Sequence, residues 1–218
     1  MKIQKLLHSC LLIEENGKRI LIDPGSWSFG EKFLKIESVA KIDAIFVTHS
    51  HQDHLSPDNI KKFIERDQCD VYANEEIAKL LTKQDIRTQA IKIPQTINIG
   101  SVKIDSVECA HGSLPFPAVL NNGFLINGRI FTPGDSHTFE KNLTSVPEVL
   151  ALPIAAPWGT FTAAMEIALR MKPKHIIPVH DSLVADIFLP RMYQMCKDLL
   201  DPVGVKVHPL KPGEVLEI

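Results

Sequence analysis

Apolar residues fall in short runs along this chain, and the breaks between the runs predict most of its elements. Leu6 to Ile13 is apolar apart from His8 and Ser9 and reads as a strand. Glu14–Glu15–Asn16–Gly17–Lys18 follows it, where a secretory leader would show a small-residue cleavage site. Asn16–Gly17 stands between this run and Ile20–Ile22, which predicts a hairpin, because Asn-Gly tolerates the positive φ of a type I′ turn. Asp23–Pro24–Gly25 breaks the second strand. Ala44–Val47 predicts a strand buried on both faces. Ser56–Pro57 reads as the N-cap and first residue of a helix over about 57–65, and a strand over 70–73 leads into a helix over about 74–82.

The middle of the chain is β-branched, with strands expected at 91–93, 97–99 and 102–107. Phe124–Ile126 and Arg129–Phe131 flank Asn127–Gly128, a second hairpin signal. Beyond it come a strand over 149–153, a helix over 161–171 that stops before Pro173, a strand over 175–179, a helix over 187–200 and a strand over 205–208. No linker or short-period repeat divides the series. The pattern predicts mixed α and β structure with helices covering sheets, in one domain spanning 1–218.

Composition narrows the functional classes. A chain of 218 residues, 44% hydrophobic and 23% charged, can bury a core without disulfide staples. Lys+Arg 24 against Asp+Glu 26 leaves a net charge of -2, so no overall positive field draws nucleic acid or anionic membrane. The longest apolar stretch, Val149 to Trp158, is cut by Pro153 and Pro157 and is far short of the ~20 residues that span a bilayer. Cys10, Cys69, Cys109 and Cys196 form no CxxC pair and read as buried reduced thiols, as expected of a cytoplasmic protein.

The chemistry is concentrated in the loop after Ala44–Val47. It reads Thr48–His49–Ser50–His51–Gln52–Asp53–His54, three imidazoles and a carboxylate within six residues. In an extended loop His49 and His51 project to one side and can share a metal ion, while Asp53 and His54 lie past the turn and can reach a second. Paired ions about 3.5–4 Å apart suit the hydrolysis of an ester or phosphoester.

With this motif the chain resembles the metallo-β-lactamase-fold superfamily of metal-dependent hydrolases, in particular its small single-domain members. Further positions follow in the family's order: Cys109–Ala110–His111–Gly112 after one strand, Thr132–Pro133–Gly134–Asp135 after another, and Ile177–Pro178–Val179–His180 at the end of a late one. The resemblance implies a four-layer αββα sandwich. It implies two divalent ions, zinc first, with manganese or iron as alternatives. It assigns His49, His51 and His111 to the first ion, Asp53, His54 and His180 to the second, and Asp135 to a bridge between them. The implied mechanism is attack by a hydroxide bridging the ions, with Asp53 orienting the nucleophile and passing on its proton. Asp23 would fix the tautomer of a ligand histidine from behind. His8, His137 and Trp158 are candidate substrate contacts. His8 reads equally well as a packed strand histidine, and His175, His208 and Cys109 read as structural.

The rim loops around Trp27, Phe29, 112–117, 136–139, 157–160 and 181–183 are neutral to apolar. They favour a small ester, lactone, thioester or phosphodiester substrate over nucleic acid, and no membrane. A nuclease of the same fold and a non-catalytic metal-binding module are the competing readings, and homo-oligomerisation is left open.

Overall fold

In a computed structural model, residues 1–30 and 34–218 are described. The strands are β1 (Lys2–Leu7), β2 (Cys10–Glu15), β3 (Lys18–Ile22), β4 (Ala44–Val47), β5 (Asp70–Asn74), β6 (Gln89–Ile91), β7 (Gln95–Ile99), β8 (Val102–Glu108), β9 (Asn122–Ile126), β10 (Ile130–Thr132), β11 (Val149–Pro153), β12 (His175–Val179), β13 (Lys206–Val207) and β14 (Val215–Glu217). The helices are α1 (Pro57–Asp67), α2 (Glu75–Thr82), α3 (Phe161–Met171) and α4 (Leu189–Leu200). The strands build two seven-stranded sheets, ordered β14-β1-β2-β3-β4-β5-β6 and β13-β12-β11-β10-β9-β8-β7.

Each sheet has an antiparallel part closed by hairpins and a parallel part closed by helices. The β2–β3 turn places Asn16 and Gly17 at φ 50° and 72°, and the β9–β10 turn places Asn127 and Gly128 at 48° and 67°. Both are the paired positive φ values that Asn-Gly supplies cheaply. β3 through β6 run parallel, joined through α1 and α2, and β10 through β13 run parallel, joined through α3 and α4. The expected four-layer sandwich is what forms. One apolar core, including Ile13, Ile22, Phe46, Phe124, Ile126 and Ile177, lies between the sheets. A second packs α1 and α2 on the first sheet, and a third packs α3 and α4 on the other.

Several element boundaries depart from the sequence reading; the strand expected over 91–93 is β6, Gln89–Ile91, paired with β5 and ended by the turn before Pro94. The apolar run Leu6–Ile13 is not one strand: His8 takes a left-handed φ of 56°, so β1 turns back into antiparallel β2. Asn74 ends β5 and caps α2, accepting a hydrogen bond from the Ile77 amide at 3.1 Å, so the helix begins one residue later than expected. Ile187 and Phe188 stay exposed and α4 begins at Leu189 with Pro190 in its first turn. β14 was not foreseen, because Val215–Leu216–Glu217 is a short edge strand with no apolar run of its own.

The loops after β3, β4, β8, β10 and β12 meet at one edge of the sandwich. These carry Asp23, residues 48–54, His111, Asp135 and His180. Four of the five strands are parallel members of the sheets, so the candidate residues sit past carboxyl strand ends, where open α/β sheets place ligands.

Candidate metal centre

The seven expected ligands converge, and His8 joins them. Their ligand atoms form two groups, His49–His51–His111–Asp135 and His8–Asp53–His54–His180, each with all atoms within 4.8 Å of one another. Asp135 faces both. Its Oδ1 lies 3.1 Å from His54 Nε2, and its Oδ2 lies 3.2 Å from His180 Nε2, 3.6 Å from His111 Nε2 and 3.7 Å from His49 Nε2.

The rings are aimed by hydrogen bonds on their far nitrogens. His54 Nδ1 donates to Asp23 Oδ2 at 2.7 Å. Thr48 Oγ1 donates to the same carboxylate at 2.8 Å and stands 3.0 Å from His49 Nδ1, so it accepts from that ring. His111 Nδ1 donates to the Gly112 carbonyl and His180 Nδ1 to the Ala155 carbonyl, both at 2.6 Å. A proton on each Nδ1 leaves Nε2 with a lone pair pointing inward, the orientation that a metal-binding histidine needs. His51 instead presents Nδ1, 3.2 Å from His111 Nε2.

Asp23 itself is held in an unusual conformation, φ 50°, with its Oδ1 accepting from the Thr48 amide at 2.8 Å. Two glycines permit the close approach of the loops. A Cβ on Gly25 would come within 1.9 Å of the Asp53 carbonyl oxygen, and one on Gly112 within 2.2 Å of the Trp158 indole. No side chain fits at either place.

The buried inward atoms His49 Nε2, His54 Nε2, His180 Nε2 and Asp135 Oδ1 have no hydrogen-bond partner. Orphaned buried polar atoms are costly, and so many aimed at one point fit divalent cations. Neutral imidazole with carboxylate is a donor set suited to zinc and shared by manganese and iron. The electrostatics agree. Burial opposes charge on the acids, yet the surrounding histidines hold Asp53 and Asp135 well below the usual carboxylate range. Burial likewise opposes charge on His54 and His180, but the carboxylates outweigh it, raising His54 well above its ordinary value and His180 to about 9. At His49 and His51 burial, reinforced by the neighbouring histidines, outweighs the carboxylates, and both are lowered. Such a site trades protons for cations.

A family model described as a beta-lactamase superfamily domain matches residues 2–180. The chain belongs to that superfamily. Relatives within reach of it include protein Rv0786c of Mycobacterium tuberculosis, 26% identical over 193 residues, covering 85% of this chain and 86% of that one. A UPF0173 metal-dependent hydrolase of Archaeoglobus fulgidus is 29% identical over 238 residues, covering 100% of this chain and 99% of its own. Among solved structures, Igni18, a metallo hydrolase from Ignicoccus hospitalis, superposes with a TM-score of 0.78 at 21% identity, covering 100% of this chain and 98% of that one. It shares the fold of this superfamily member.

The remaining candidates fall in distinct places. His8 is fully buried, with Nε2 3.2 Å from Asp53 Oδ2 and its ring 4.1 Å from that of His180. Trp158 donates its indole N–H to Asp135 Oδ2 at 2.7 Å. His137 is turned aside, with Nε2 3.0 Å from the Pro153 carbonyl and its ring against Trp158. His175, at the start of β12, and His208, just past β13, pair with each other at 3.0 Å, and Cys109 is buried in the α3–α4 core, as expected of structural residues. Sequence reasoning missed Thr48 as the link between Asp23 and His49. A hydroxyl next to a ligand histidine was the available signal.

Proposed function

We propose that this protein is a hydrolase working with two divalent ions, zinc first with manganese or iron as alternatives, on a small, uncharged ester- or lactone-type substrate, with a small phosphodiester as the alternative bond. The observation that carries the reading is the arrangement of two ligand groups about one carboxylate, Asp135, with unpartnered lone pairs converging from His49, His54 and His180. Divalent ions bound there would supply Lewis acidity and would lower the pKa of a bound water towards neutrality.

The chain's own groups account for the rest. His49, His51 and His111 would hold one ion, and His54, His180 and Asp53 the other, with Asp135 touching both. Asp53 Oδ2 stands among His8, His180 and His54 at 3.2, 3.4 and 3.7 Å, placed to orient the attacking water and to take its proton. His8 donates to that oxygen and fixes which lone pair of Asp53 faces the centre. Trp158 does the same for Asp135.

The rim supports a small apolar substrate. A cavity of about 220 Å³ opens beside His51 and His111, lined by Leu114, Phe116, Pro117, Ala118 and Val119. No lysine or arginine lines it among the described residues, which counts against a nucleic-acid phosphate track. No helix among the described residues is long and apolar enough to cross a membrane.

The test is elemental analysis of protein purified without a chelating column, followed by an ester, lactone and phosphodiester screen. About two equivalents of metal per chain and a turnover lost on chelation support the proposal. Two equivalents without turnover on any substrate class favour the non-catalytic module. No metal and no uptake on reconstitution overturn the ligand assignment.

A further inference from the structure

Lys5 is the one charged residue of β1 that points inward: it is 2% exposed, and alternation puts it on the same face as Ile3. Its ammonium donates to the Pro178 carbonyl at 2.9 Å and to Asp181 Oδ2. Asp181 is itself buried, and its Oδ2 also accepts from the Tyr193 hydroxyl, on α4, at 2.5 Å. A buried ion pair contributes little net stability, because desolvating two charges offsets most of their attraction. Its position therefore asks for another explanation.

That position is specific. Pro178 and Asp181 bracket His180, so the Lys5 ammonium clamps the chain on both sides of one ligand residue. Lys5 lies three residues before His8 in the opposite sheet, and the His180 amide donates to the His8 carbonyl at 3.4 Å. Both histidines have left-handed backbones, φ 56° at His8 and 58° at His180. A non-glycine residue keeps that conformation only where its surroundings over-determine it. The two rings so placed are the members of the second ligand group that come from β1 and β12, from facing sheets. In the first group the supports are of another kind: His111 is held by the carbonyl of its own neighbour, Gly112, and His49 by the Thr48 hydroxyl that itself donates to Asp23.

We infer that Lys5, Asp181 and Tyr193 are positioning residues for the second ion: they pin β12 and α4 to β1 and so set the approach of His180 and His8. The inference rests on the two-ion reading above, but its test needs no substrate. Protein loaded with zinc is equilibrated against graded zinc buffers, and bound metal per chain is read for the unaltered protein, for Tyr193→Phe and for Lys5→Met. Tyr193→Phe keeps the ring and the packing of α4 while removing one hydrogen bond, so it remains informative if Lys5→Met fails to fold.

The expected result is that binding of the second equivalent weakens about tenfold while the first is unchanged, the usual cost of altering a group that orients a ligand. Lys18→Met, which breaks the half-exposed Lys18–Asp43 pair, serves as the control and leaves both equivalents unchanged. Parallel weakening of both equivalents, or a lower thermal midpoint with both affinities intact, shows a merely structural cluster and overturns the inference. An unaltered protein that takes up no zinc overturns the two-ion reading and this inference with it, a result distinct from either of those.

Discussion

The two ligand groups are built from the same residue types and held in different ways. In the first, His51 and His111 are half-buried beside the rim cavity, and His111 is fixed by a contact within its own loop. In the second, His8, His54 and His180 are fully buried, two of them in left-handed conformations, and each is backed by groups distant in sequence. The first group opens at His51 and His111, while its other members, His49 and Asp135, are buried and backed by Thr48 and Trp158. The second is sealed and depends on long-range polar contacts with Asp23, Lys5 and Asp181.

The largest expected effect tests whether the groups are joined at all. Asp135→Ala is expected to lose both ions and all turnover, measured as metal per chain and as rate. One ion retained at full occupancy would break the bridging assignment. Next, His111→Ala and His180→Ala should each lose one ion and keep the other. Loss of both ions from either variant would mean that the two groups are a single cooperative unit.

Asp23→Asn comes third. Asp23 touches His54 directly and His49 only through Thr48, so zinc affinity should fall ten- to a hundredfold, and further for the second equivalent than for the first. Equal losses would show that Thr48 transmits the whole effect.

The smallest effect concerns pH. In the metal-free protein His180 has a folded pKa of about 9 and His54 is also raised, so the stabilisation from their protonated forms is complete below the ordinary histidine value of about 6.5. It is lost as pH rises through 9. The thermal midpoint of metal-free protein should therefore fall between pH 6.5 and 9, and zinc should abolish that fall, because bound cations replace the protons. A midpoint flat across that window in the metal-free form would contradict the protonated state of the sealed group.

The same contrast explains what was legible in the sequence. His49, His51, Asp53 and His54 are close in the chain, and His111, Asp135 and His180 each follow a recognisable strand, so residue type and order were enough to place them. Asp23 was legible for the same reason. His8 was ambiguous because its meaning depends on a turn inside an apolar run that reads as continuous. Lys5 carried a local signal, a lysine in phase with Ile3, but its partners lie beyond 170 positions away. The orientation of Trp158 could not be read either, since its hydrogen bond to Asp135 depends on how closely Gly112 lets two loops approach. Chemistry set by local spacing was readable. Chemistry set by the meeting of two sheets was not.

The chain has two tryptophans, and both stand against the centre. The Trp27 ring lies 5.2 Å from His8, and Trp158 donates its N–H to Asp135. Indole emission responds to neighbouring charge and to the loss of a hydrogen bond, so the centre carries two optical reporters without any label. Trp27→Phe leaves only the light from the shared carboxylate, and Trp158→Phe leaves only the light from the sealed histidines. Filling and emptying of the centre can then be followed in real time in the protein's own fluorescence.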